Sequence, residues 1–118
     1  MKYTVAVDFD GVLHSYTSPW VDAQTIPGPP VEGAIEWLRE IVKKFDVVIH
    51  TTRGATPEGV SAVRNWLRKN GFDESKVRAV TDRKVPALVY IDDRAYRFIG
   101  PGSFPTAGHI MELRPWNK

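Results

Sequence analysis

The stretch VAVDFDGVLH, residues 5–14, decides how this chain folds. Three β-branched or small apolar residues run straight into two aspartates one residue apart, and a glycine turn follows. A short apolar run of this kind is the signature of a buried strand. Packing gives no reason to end such a strand with two carboxylates, which repel each other where the dielectric is low. A bound cation would give one.

Outward from this stretch, strands and helices alternate. YTVAVD, residues 3–8, predicts a short buried strand. Residues 14–30 are rich in Pro, Ser and Thr and predict a loop. Its length is unusual in a compact domain and marks a functional segment. Val31, Ile35, Leu38, Val42 and Phe45 recur at helical spacing, so residues 31–45 predict an amphipathic helix. DVVIHTTR, residues 46–53, predicts a second buried strand, with His50 and Thr51 on opposite sides. Thr56 and Pro57 fit the N-cap and first position of a second helix, with Val60, Val63 and Leu67 as its apolar face and Asn70-Gly71 as its end. VRAV, 77–80, and ALVYID, 87–92, predict two more strands. The tail from Gly100 holds three glycines and three prolines up to Trp116, and predicts loop with room for one short strand. Trp37 and Trp66 fall off the main stripe of their helices and, with Trp116, are expected to pack rather than recognise. This alternation predicts an α/β fold: a Rossmann-like parallel sheet with helices on both faces, in three layers.

Bulk properties narrow the classes. The 118 residues suit one domain, 1–118, able to bury a core without staples. Apolar residues make up 42% and charged residues 25%, as in ordinary globular proteins. A net charge of +2 is too small to argue nucleic-acid binding by itself. The absence of cysteine excludes disulfides, thiolate chemistry and cysteine-type zinc sites. No apolar run reaches the length of a membrane span, and MKYTVAVDFDG has no apolar signal core, so a soluble, cytoplasmic protein without membrane partners is expected.

The polar residues collect at strand ends. Asp8 and Asp10 follow the first strand, Thr51, Thr52 and Arg53 the second, and Asp92, Asp93 and Arg94 the fourth, with Lys84 in the loop before it. Ligands of open α/β sheets bind beyond the carboxyl ends of the strands, so these groups are expected in one crevice. Several carboxylates there call for an oxygen-preferring divalent cation, and Mg²⁺ is the natural candidate. Lys84, Arg53, the threonine hydroxyls and loop amides suit a phosphate. One carboxylate could attack phosphorus, and a second could carry the proton.

DFDGV, a strand ending in TTR, Lys84 and a strand ending in IDDRA resemble, in order, the four signature motifs of the haloacid dehalogenase superfamily of phosphotransferases. The match spans residues 8 to 93. The resemblance implies Asp8 as nucleophile and metal ligand, and Asp10 as general acid/base whose backbone carbonyl is a second ligand. It implies Thr51 as the phosphoryl-holding hydroxyl and Lys84, with Arg83 as competitor, as the neutralising cation. Asp92 and Asp93 would close the metal shell; Asp93 is favoured as direct ligand, and the reverse assignment stays open. Thr52, Arg53, Gly11 and His14 are expected on the substrate side. The second aspartate, Asp10, points to phosphate rather than dehalogenase chemistry.

Residues 11–26 correspond to the helical bulge and flap of that family, and neither this stretch nor 53–84 has room for a cap domain. A capless site accepts a large phosphorylated substrate, such as a nucleic-acid end or another macromolecule, or is covered by a second subunit of a homo-oligomer. Tyr16 and Trp20 in the flap would stack on a base or pack the flap onto the core. The expected activity is a Mg²⁺-dependent phosphatase working through an aspartyl-phosphate. The competing readings are a non-catalytic phosphate- or partner-binding module on the same core, and a receiver-like phosphoacceptor domain, whose acidic pair comes earlier in the chain than its phospho-aspartate, the reverse of the order here. For Asp92-Asp93 the structural alternative is a helix N-cap followed by a first-turn acid.

Overall fold

The computed structural model describes residues 2–116. Four strands, β1 (Thr4–Asp8), β2 (Asp46–His50), β3 (Ala79–Thr81) and β4 (Val89–Ile91), form one all-parallel sheet in the order β3-β2-β1-β4. Helix α1 (Ala34–Lys44) joins β1 to β2, and α2 (Pro57–Lys69) joins β2 to β3. The chain builds outward from β1 through β2 to β3, then returns to place β4 on the other side of β1. The order therefore reverses between β1 and β4, and such a switch point opens a crevice at the carboxyl ends of the two strands. Asp8 ends β1, and Asp92 and Asp93 follow β4.

The core explains this arrangement. Val5 and Val7 of β1 and Val47 and Ile49 of β2 project to one face, where Ile35, Leu38 and Val42 of α1 and Val63, Trp66 and Leu67 of α2 cover them. Ala6 and Val48, on the alternate positions, are also fully buried but lie outside that cluster. The connection between β3 and β4 carries no helix. It is anchored instead by Tyr90, whose hydroxyl donates to the Val85 carbonyl and accepts from the Val85 N–H.

Local signals set the element ends. The Thr56 hydroxyl accepts from the Gly59 N–H, with Pro57 at the first helical position. α1 begins three residues later than its apolar spacing predicts, because Gly33 sits at φ 85° outside the helical region. The tail departs from expectation. It holds no strand among the described residues but a short helix, α3 (Ala107–Glu112), whose Thr106 hydroxyl accepts from the His109 N–H. The glycine and prolines around this turn hide it from a propensity reading.

Trp66 packs as expected: it is buried, edge-on to Phe9 and His14, and its indole N–H donates to the Gly28 carbonyl. Its partners come from the segment after β1, which the helical period of α2 cannot reveal. Among the described residues, no helix is long and apolar enough to cross a membrane.

Candidate metal and anion site at the switch point

After β1 the chain winds one turn around the Phe9 carbonyl, which accepts from the N–H groups of Val12, Leu13 and His14. Gly11 lies inside this turn at φ 90°. A Cβ there would sit 2.3 Å from Asp93 Oδ2, so the turn and the acidic pair after β4 can approach only because residue 11 is glycine. Residues 15–33 then form an excursion without helix or strand, closed at its base by Ser15 N–H to the Pro29 carbonyl and Val31 N–H to the Leu13 carbonyl.

Carboxylate oxygens of Asp8, Asp92 and Asp93 lie within 4.8 Å of one another. Asp8 Oδ1 accepts from the Phe9 N–H, which leaves its other oxygen facing the acids. Asp93 Oδ1 is buried with no hydrogen-bond partner. Burial first, then the charge of Asp92 and the adjacent carboxyl of Asp93, push the Asp8 carboxyl up to about 8. These are the marks of a site short of positive charge. Three carboxylates, one of which carries a partnerless buried oxygen, could hold a hard, oxygen-preferring cation.

Asp10 has a different environment. Arg53 is 1% exposed, and its Nε donates to Asp10 Oδ2 at 2.9 Å. Its Nη2 donates to Asp10 Oδ1 at 3.1 Å. Arg53 Nη1 donates to the carbonyls of Asp22, Ala23 and Thr25. His14 is equally buried; its Nε2 accepts from the Gly28 N–H, so its Nδ1 carries the proton and donates to Asp10 Oδ1 at 2.8 Å. Burial raises the Asp10 carboxyl, but the hydrogen bonds and charges of His14 and Arg53 outweigh it and hold Asp10 below the usual carboxylate range. Asp8 and Asp10, two residues apart, are thus driven in opposite directions, an arrangement typical of acid/base assignments.

A pocket of about 450 Å³ opens here, lined by Asp8, Asp10, Tyr16, Trp20, His50, Thr51, Thr52, Asp92 and Arg94. The structure thus brings Asp8, Asp10, Asp92, Asp93, Gly11, Thr51 and Thr52 to one place. Thr51 is buried, and its hydroxyl accepts from the Arg53 N–H. Arg53 and His14 touch Asp10 rather than line the pocket. Lys84 is not brought in. It is exposed, and its ammonium stands 5.9 Å from the centre of the Tyr90 ring. His50 was expected to face away from Thr51, yet both line the pocket, because the pocket lies past the end of β2, where strand alternation no longer separates them.

Arg94, a cation set just past the acidic pair, lines the pocket that Lys84 does not reach. Its position two residues after Asp92 was the only sequence signal for it. No protein-family model, no curated protein and no solved structure matches this chain.

Proposed function

We propose that this chain is a Mg²⁺-dependent phosphomonoester hydrolase of the haloacid dehalogenase type, acting through an aspartyl-phosphate on Asp8. The observation that carries the reading is the convergence of Asp8, Asp92 and Asp93 at the switch point, beside an Asp10 held in a separate environment. Asp8, Asp92, Asp93 and the Asp10 carbonyl would hold the cation, which when bound cancels carboxylate repulsion and draws charge from the phosphoryl oxygens.

The chain's own residues supply the steps. Asp8 attacks phosphorus through its free oxygen, and the ester oxygen leaves with a proton from Asp10. Water then attacks the phosphorus of the aspartyl-phosphate and gives its proton to Asp10, and Asp8 and inorganic phosphate are regenerated. The Thr51 and Thr52 hydroxyls and the Arg94 guanidinium are the donors available to the phosphoryl oxygens. Arg53 and His14 keep Asp10 aimed and ionised at rest, so the proton it gives the leaving oxygen is first taken up from solvent, and the proton it gains from the attacking water is returned there.

The finer architecture belongs to the same proposal. Ala6 and Val48 are fully buried on the face away from the main core cluster, which supports a third layer in a single 1–118 domain. Residues 15–33 and 53–84 contain no extra folded unit, which supports a capless site open to a large phosphorylated substrate such as a nucleic-acid end.

The position of Lys84 favours a second reading, a phosphate-binding module without turnover. Phosphate release from p-nitrophenyl phosphate separates the two. Native protein is expected to release phosphate only with Mg²⁺, and Asp8→Asn to abolish release while keeping the fold. A folded native protein that binds Mg²⁺ and releases nothing from this or larger phosphomonoesters would establish the second reading.

A further inference from the structure

Part of the pocket is not used by phosphate chemistry. Besides the acids and their neighbouring donors it is lined by Tyr16, Trp20 and His50. Trp20 is 46% exposed and belongs neither to the hydrophobic core nor to the apolar side chains packed against it. Burial in the hydrophobic core therefore does not account for it. Its ring lies 4.5 Å from the Arg53 guanidinium carbon, within cation–π range. That guanidinium is itself fixed by Asp10 and by the carbonyls of Asp22, Ala23 and Thr25, just beyond Trp20 in the chain. One face of the indole is backed by a buried, immobilised cation, and the remaining surface borders the pocket.

Tyr16 adds a second sign. Its backbone is at φ 52°, the left-handed region that non-glycine residues avoid at a cost of roughly 1–2 kcal/mol. Such strain gathers where a side chain must be aimed. Here it accompanies a tyrosine that lines the pocket.

We propose that Trp20, backed by Arg53 and flanked by Tyr16, is a stacking platform for the base of a phosphorylated nucleoside whose phosphate occupies the acidic half of the pocket. This rests on the phosphatase reading and assigns its substrate class. The pocket's 450 Å³ lies within the usual range for small-ligand sites of about 300–1,000 Å³. The recognition is sequence-tolerant, because every base offers a π-face. A free nucleotide and the terminal nucleotide of a single strand offer the platform the same chemistry.

The test uses the full chain carrying Asp8→Asn, so that ligands survive, with Mg²⁺ present. Calorimetry compares inorganic phosphate, ribose 5-phosphate, nucleoside 3′- and 5′-monophosphates, and a short 3′-phosphorylated oligonucleotide. Base-bearing ligands are expected to bind at least tenfold more tightly than ribose 5-phosphate. Adding Trp20→Ala is expected to erase that ratio, and Trp20→Phe to restore most of it. A gain from oligonucleotide over mononucleotide identifies the strand end as the source, and equal affinities identify the free nucleotide. Phosphate binding without base preference, or a preference that survives Trp20→Ala, overturns the platform and leaves the phosphatase reading standing. Failure of phosphate and ribose 5-phosphate to bind at all overturns both.

Discussion

At Asp8 the protein carries a charge that it does not tolerate alone. In the folded, metal-free chain this carboxyl keeps its proton to about pH 8, against a usual value of 3.8. Between those values the folded state binds the extra proton, so its contribution to stability is whole below about pH 4 and is lost as pH rises toward 8. Discounted for partial exposure, the loss is on the order of 1–2 kcal/mol, several degrees of Tm. Scanning calorimetry without metal should show Tm falling from pH 5 to pH 8, and Asp8→Asn should flatten the trend. Mg²⁺ should raise Tm more at pH 8 than at pH 5, because its ligands must be deprotonated. Equal Mg²⁺ effects at both values would mean that Asp8 is not a ligand. Gly11 gives a steric test of the same cluster. Gly11→Ala drives a methyl into Asp93 Oδ2 and strains a φ of 90°, so Mg²⁺ affinity should fall at least tenfold by titration calorimetry, with the helices intact by circular dichroism.

At the scale of elements, Arg53 and Trp66 tie the segment after β1 to the rest of the fold, Trp66 through the Gly28 carbonyl. Arg53 joins the end of β2 to Asp10 and to three carbonyls of residues 22–25. Removing one partner of a buried ion pair costs about 3–5 kcal/mol. Arg53→Met should lower Tm by ten degrees or more and open residues 20–26 to limited proteolysis. Lysine should not rescue, since it lacks the planar fork. Unchanged protease resistance in Arg53→Met would show that other contacts hold the flap. The role of Arg53 was only partly legible in the sequence. Its place after TT put it near the phosphate, but nothing local shows that it reaches carbonyls some 30 residues earlier. What was legible is what local chemistry controls: the apolar runs of β1 and β2, the Thr56-Pro57 start of α2 and its Asn70-Gly71 end. What was not legible depends on partners distant in sequence: the contact of Trp66 with Gly28, the sharing of one pocket by His50 and Thr51, and the placing of Lys84 beside the Tyr90 ring.

At the scale of the whole molecule, the two flanks of the sheet differ. The β2 side is sealed by α1 and α2, whereas the chain from Leu88 onward exposes Leu88, Val89, Phe98, Ile99, Phe104 and Met111. The acidic crevice lies at the boundary, where β1 meets the edge strand β4. The general position of the crevice was legible in the strand-end acids, because ligands of open α/β sheets bind beyond the carboxyl ends of the strands. The conformation of the tail did not, since its glycines and prolines give no helical or strand period.

That tail nonetheless returns to the first loop of the chain. The Trp116 indole N–H donates to the Gly11 carbonyl, 105 residues away in sequence. The turn that presses against Asp93 is therefore completed by a residue made long after its own acids. During synthesis, Asp8, Asp10, Asp92 and Asp93 all emerge before the contact that finishes their loop. A site closed in this way senses the integrity of the polypeptide: trimming at residue 115 would loosen the acid turn without removing a single acid.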